Sequence, residues 1–197
     1  MNLANKLTIF RIVLVPIMVI IPFLGIQGSW NYIPYEWIII DIIFIIASIT
    51  DKLDGSIARK RNEITTFGEF LDPIADKILV LAAMIMLVEE GRLPAWIPII
   101  ILFREFLVSG YRLIAVEKGG KVIAASIWGK IKTVTQMIAI ILMCIDVNGY
   151  FGMLKGHLTK FDLVLNILTS TFMTIAVIAT IFSGWKYIKD GKKLLKD

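Results

Sequence analysis

Apolar residues fill six long blocks of this chain, and polar residues collect in the breaks between them. The blocks run from about Leu7 to Ile26, Glu36 to Lys52, Asp72 to Glu89, Pro94 to Val116, Ser126 to Ile145 and Phe161 to Tyr187. A hydrocarbon core about 30 Å thick takes roughly 20 helical residues to cross, and the blocks are of that order. The pattern predicts an all-α, polytopic membrane protein: six transmembrane helices bundled in one membrane-embedded domain over residues 1–197. Pro16 and Pro22 mark kinks in the first block, which membrane helices tolerate when neighbours satisfy the freed carbonyls. The third block opens on Asp72-Pro73, where Pro73 suits a first helical turn and Asp72 suits a cap. The break GSWNYIPYEW places Trp30, Tyr32, Tyr35 and Trp37 in an interfacial aromatic belt.

Composition sharpens this picture. With 57% hydrophobic residues and a mean hydropathy of +0.79, the chain has no room for a separate soluble domain. The net charge of +5 sits between apolar blocks, so it reads as membrane topology rather than nucleic-acid binding. Attraction to anionic membrane lipids is a compatible second effect. If the N-terminus faces the cytoplasm, Arg92, Lys155 and Lys160 are the outer-side cations, Arg104 lies within a span, and every other Lys and Arg falls at the inner side. That asymmetry predicts a multi-pass protein of the cell membrane with both termini cytoplasmic. The N-terminal block lacks a small-residue cleavage site and is expected to be retained. A single cysteine, Cys144, and a single histidine, His157, exclude a disulfide framework and a histidine- or cysteine-rich metal site within one chain.

The chemistry concentrates between the second and third blocks, in TDKLDGSIARKRNEITTFGEFLDPIADK. Asp51 and Asp54 stand three apart, and Asp72 and Asp76 four apart, so each pair shares one helical face. Carboxylates at membrane helix ends are costly without a partner. Four of them brought together by the short connection from Gly55 to Leu71 would raise one another's pKa unless a cation compensates. Hard oxygen ligands of this kind suit Mg²⁺, which keeps room for substrate phosphates, or a two-metal clamp on a phosphoryl group. Gly55 and Ala58 extend the face of Asp51 and Asp54 with almost no side chain and leave space for a bulky ligand. Arg59 is placed to meet phosphate oxygens, and Gly68 to allow a turn or a close backbone approach. The plainer readings are that Asp72 only caps a helix and that Lys60 and Arg61 only set topology. Asp41 falls about 15 Å along the helix from Asp51 and is expected deep, facing the bundle interior in a structural role.

At these residues the chain resembles the CDP-alcohol phosphatidyltransferase family. The family's D-x-x-D-G-x-x-A-R, eight residues, G-x-x-x-D-x-x-x-D signature stands here without departure as Asp51, Asp54, Gly55, Ala58, Arg59, Gly68, Asp72 and Asp76. The resemblance implies a six-helix membrane fold, commonly homodimeric, that moves a phosphatidyl group from a CDP-linked lipid to an alcohol and releases CMP. It implies that Asp51, Asp54, Asp72 and Asp76 hold Mg²⁺ or Mn²⁺, two ions per site, and that Asp76 is also the general base. It further implies that Gly55, Ala58, Arg59 and Gly68 lie with the nucleotide donor.

Outside the signature, three stretches resemble the branch of the family whose acceptor is sn-glycerol 3-phosphate. They are Asn5-Lys6-Leu7-Thr8 with Arg11, Arg104 to Arg112, and Trp128 to Gln136. An acceptor that carries a phosphate needs fixed positive charge beside the metals. Arg112 and Lys130 are the expected contacts, with Thr8, Arg104 and Lys132 as further candidates. Lys132, two residues beyond Lys130, is expected to face away from it, and Arg104 to pair with Asp41 or Glu105. The donor implied is CDP-diacylglycerol, at the cytoplasmic face. Inositol phosphate, serine or phosphatidylglycerol as acceptor is the near alternative. A small transporter is the alternative from another class, but the two halves show no matched pair of interrupted helices.

Overall fold

The computed structural model describes residues 3–61, 66–117, 127–156 and 158–191. Within those ranges, the side chains at 3–4, 51–61, 66–73, 112–113, 115–117 and 190–191 lie outside the described residues. Helix α1 (Leu3–Ile20) carries Pro16 in its interior and tightens into a 3₁₀ turn at Ile21–Leu24, with Pro22 in that turn's opening. Gly25, at φ +62°, ends it in the left-handed region that glycine enters without steric cost. The aromatic break is not a plain loop. Strands β1 (Ser29–Trp30) and β2 (Ile33–Pro34) pair antiparallel through Asn31 and Tyr32, both at positive φ, as a two-residue hairpin turn demands. Trp30 and Tyr32 project from this hairpin, whereas Trp37 is 3% exposed and lies beneath the Arg92 guanidinium at 4.3 Å. The expected aromatic belt therefore loses Trp37, whose ring is used for packing and cation–π contact instead.

Helix α2 (Tyr35–Arg61) runs well past the expected end at Lys52. No proline interrupts SITDKLDGSIARKR, and charge alone does not stop a helix. Helix α3 (Thr66–Glu89) starts one and a half turns before Asp72, so Asp72 lies inside the helix and is not its cap. It closes in a Schellman motif: Arg92 N–H donates to Leu87 O at 2.9 Å, Gly91 N–H donates to Val88 O at 3.0 Å, and Gly91 takes φ +73°. Helices α4 (Trp96–Glu117), α5 (Ile127–Ile145) and α6 (Lys160–Gly191) complete the bundle. Thr159 caps α6, its hydroxyl accepting from Asp162 N–H at 3.2 Å and donating to the Asp162 carboxylate at 2.6 Å.

The most extensive packing joins α5 to α6, with α1 against α2 and α3, and α4 against α6. On α6, Ala176, Ala179, Thr180 and Ser183 are all fully buried and small, which lets neighbouring backbones approach closely. The outward faces are apolar: on α4, Ile99, Phe103 and Phe106 are each about two-thirds exposed, while Ile97, Ile101 and Val108 turn inward. Large apolar side chains spread over the outside of a bundle are suited to lipid rather than water. Three segments are long and apolar enough to cross a membrane among the described residues: Asn5–Leu24, Ile127–Ile145 and Lys160–Lys189. Helices α2, α3 and α4 each carry ionisable residues along their length.

At the far end of the bundle from the signature, the helix ends are tied by a buried polar knot. Arg92 is 4% exposed and donates to Cys144 O at 2.7 Å and Met143 O at 3.4 Å, satisfying carbonyls at the end of α5. Its own carbonyl accepts from Tyr150 N–H at 2.8 Å. Asn166 donates to Asp146 Oδ2 at 2.7 Å and Gly149 O at 2.6 Å, and accepts from Met153 N–H at 2.9 Å. Arg92, expected as an outer-side topology charge, is a structural clamp. Burial draws its pKa below the ordinary value, and Glu90 at 3.8 Å works against that.

Candidate active site

The continuous helix α2 carries Asp51, Asp54, Gly55, Ala58 and Arg59, and α3 carries Gly68, Asp72 and Asp76. Only residues 62–65 separate the two helices, which also pack together. The side chains of Asp51, Asp54, Ala58, Arg59 and Asp72 lie outside the described residues, as does that of Arg112 on α4. Among the described side chains, no three carboxylate, histidine or cysteine groups converge. What the backbone supplies is two uninterrupted helices bearing aspartates at i,i+3 and i,i+4, a donor chemistry that fits a hard divalent cation.

Asp76 is the described member of the set, and it lines a cavity of about 770 Å³. Four helices build the walls: Asp76 and Lys77 from α3, Arg104 and Glu105 from α4, Lys130, Lys132 and Gln136 from α5, and Tyr187 from α6. The deeper wall is apolar, with Val80, Leu81, Met84, Ile101 and Met137. A cavity with one polar wall and one apolar wall has the form expected for an amphiphilic ligand.

The polar wall is ordered by charge-assisted bonds. Glu105 Oε1 accepts from Lys132 Nζ at 2.6 Å and from Arg104 Nη1 at 2.9 Å. Arg104 Nη2 donates to Ser183 on α6, and its guanidinium stands 5.9 Å from the Tyr187 ring centre. Lys77 Nζ donates to Ser109 Oγ at 2.6 Å and ties α3 to α4. Of the two expected partners for Arg104, the structure selects Glu105. Asp41 is elsewhere, 6% exposed inside the bundle as expected, and its Oδ1 has no hydrogen-bond partner among the described residues.

Lys130 and Lys132 line the same cavity, contrary to the expectation that Lys132 faces away. Lys132 is buried while Lys130 is exposed, so the two long side chains reach one space from inside and from the rim. Thr8 is 2% exposed on α1 and is not among the described lining residues; Arg11, counted at the inner surface, is fully buried. Glu105 was expected only as a partner of Arg104; its second bond, from Lys132, had no local signal in the sequence.

Residues 1–184 match the model of the CDP-alcohol phosphatidyltransferase family, a span that contains every helix of the cavity except the last turns of α6. A Bacillus subtilis protein described as CDP-diacylglycerol–glycerol-3-phosphate 3-phosphatidyltransferase is 42% identical, covering 99% of this chain and 97% of its own. A Haemophilus influenzae protein of the same description is 38% identical over 100% of this chain and 96% of its own. A third, from Rickettsia bellii, is 37% identical over 98% and 96%. With the signature on two adjoining helices and the match running nearly end to end, the chain is an enzyme of the CDP-alcohol phosphatidyltransferase family, a multi-pass helical membrane protein.

Proposed function

We propose that this protein transfers the phosphatidyl group of CDP-diacylglycerol to the 1-hydroxyl of sn-glycerol 3-phosphate, giving phosphatidylglycerol phosphate and CMP. One observation carries the reading. Asp76, the last carboxylate of the signature, shares a cavity with the cations Lys130 and Lys132. A proton acceptor beside fixed positive charge is what an alcohol bearing a phosphate requires. The relatives described above act, by their descriptions, on the same donor and acceptor.

Asp51, Asp54, Asp72 and Asp76 are the residues that would hold the divalent cation, Mg²⁺ or Mn²⁺, as two ions. When bound, the cation supplies Lewis-acid stabilisation of charge on the pyrophosphate. The chain's own groups do the rest. Arg112 and Lys130 hold the acceptor's phosphate, with Lys132, Arg104 and Thr8 as further candidate contacts. Gly55, Ala58, Arg59 and Gly68 accommodate the cytidine nucleotide. Asp76 takes the proton of the 1-hydroxyl, whose oxygen attacks the phosphorus bonded to diacylglycerol. The bond from that phosphorus to the oxygen bridging to CMP breaks, and CMP leaves with the electron pair. Val80, Leu81, Met84 and Met137 give the lipid end an apolar wall and keep water from the reacting phosphorus.

In this reading residues 1–197 form one catalytic domain of six membrane-spanning helices. Both termini and the signature face the cytoplasm, and two copies associate in the membrane. The test is CMP release by the purified protein in detergent micelles, with CDP-diacylglycerol and Mg²⁺ or Mn²⁺. Glycerol 3-phosphate, inositol 1-phosphate, serine and phosphatidylglycerol are compared as acceptors. Metal-dependent release with glycerol 3-phosphate alone is expected. Release with another acceptor instead would refute the acceptor assignment, and none with any acceptor from folded protein would refute the transferase reading.

A further inference from the structure

Glu105 is the junction of the cavity's polar wall. Its single oxygen Oε1 receives both Lys132 Nζ, at 2.6 Å from α5, and Arg104 Nη1, at 2.9 Å from its own helix α4. Arg104 reaches on to Ser183, so three helices meet through this carboxylate. The side chains of Lys132, Arg104 and Glu105 are 8%, 11% and 21% exposed. Two cations this deep in a membrane bundle are costly without a counter-ion.

The cations keep donors in reserve. Lys132 has three N–H groups and spends one on Glu105. Arg104 Nε is buried with no hydrogen-bond partner among the described residues. Both side chains line the cavity that holds Asp76. With Lys130 at the rim and Lys77 beside them, set against the carboxylates Glu105 and Asp76, the charged groups of the wall leave two positive charges. A phosphate monoester near neutral pH carries about two negative ones.

We infer that Glu105 is a positioning residue for the acceptor's phosphate: its carboxylate fixes the heads of Arg104 and Lys132 so that their unspent donors converge in the cavity, and it trims the wall's charge to that of a phosphate dianion. The inference rests on the proposed acceptor class, a small alcohol bearing a phosphate. Glu105 does not touch the reacting atoms; it acts through Lys132 and Arg104.

The test uses the full chain in detergent micelles, with glycerol 3-phosphate and CDP-diacylglycerol varied in turn. Glu105→Gln removes the charge and keeps the size; Glu105→Asp keeps the charge. Glu105→Gln is expected to raise KM for glycerol 3-phosphate roughly tenfold while KM for the lipid donor stays within about twofold. Glu105→Asp is expected to recover most of the loss, and it serves alone should the Gln variant fail to elute as folded protein. In a Lys132→Met background, Glu105→Gln is expected to add less than about twofold, because the route of its action is already gone. Equal rises in both KM values, a fall in KM for glycerol 3-phosphate, or an undiminished effect in the Lys132→Met background would overturn the inference. Inorganic phosphate is used in parallel as a probe of unfolding midpoint, with protection expected in wild type and lost in Glu105→Gln. Should wild type turn over a different acceptor, retained protection in Glu105→Gln still refutes the role of Glu105, so the two readings fail separately.

Discussion

Replacing Arg92 by alanine tests whether the polar knot at the far end of the bundle holds the helices together. The guanidinium donates to Cys144 O at 2.7 Å and lies 4.3 Å over the Trp37 ring. A hydrogen bond from a charged donor to a buried carbonyl contributes about 1.5–3 kcal/mol, and the carbonyl is left unsatisfied when the donor goes. A largely desolvated cation–π contact adds roughly 1–2 kcal/mol. The ion pair to Glu90, 3.8 Å away and 44% exposed on the glutamate side, adds little. Against these, alanine regains about 1–2 kcal/mol of side-chain entropy. The net expectation is a loss of about 2 kcal/mol in unfolding free energy. Arg92→Lys, which keeps a donor but not the flat stacking surface, should lose about half as much. Equilibrium unfolding in mixed micelles with increasing dodecyl sulfate, followed by far-UV circular dichroism, measures both. CMP release below the unfolding transition should be unchanged, since the knot and the cavity sit at opposite ends of α5. A loss under about 0.5 kcal/mol for Arg92→Ala would refute the reasoning, because no arrangement with that bond and stack intact could give it.

Three further expectations follow from the same geometry. Gly149→Ala should destabilise the protein by about 2–4 kcal/mol, since the residue is at φ +69° and a Cβ would meet the Arg92 Cα and carbonyl at 2.8 Å; the same titration reads it. Asp76→Asn should lower CMP release by about a thousandfold with unchanged elution on size exclusion, because an amide cannot take the hydroxyl proton. CMP release near wild type would remove Asp76 from that role. Chelation should abolish CMP release and Mg²⁺ or Mn²⁺ should restore it, with the unfolding midpoint falling as the aspartates lose their counter-charge.

Apolar patterning placed all six helices, because each is a long apolar block bounded by polar breaks. It was weakest where helices leave the apolar layer. The stretch from Asp54 to Arg61 is polar, yet nothing in it breaks a helix, and α2 continues through it. The same error placed the start of α3 at Asp72 rather than Thr66. Pairing between neighbours, Arg104 with Glu105, was legible, but long-range partners were not. Arg92 reads in sequence as one more topology mark, and its carbonyl acceptors lie 51 and 52 positions away. Glu105 reads as the neighbour of an arginine, and Lys132, 27 positions on, completes the pair only when α4 and α5 are set beside one cavity. Trp37 looked interfacial by its neighbours and is buried because Arg92 folds over it.

The unbroken course of α2 through the signature gives the spacing of that motif a different meaning. On a loop, residues between Asp54 and Arg59 would set a reach, and a residue more or less would be absorbed. On a helix each residue turns the next by about 100°, so the spacing is an angle. Deleting one position there would swing Arg59 and all that follows a quarter-turn or more around the rod, with almost no change in distance. An alignment of any chain built this way should therefore show no gaps within either half of the motif.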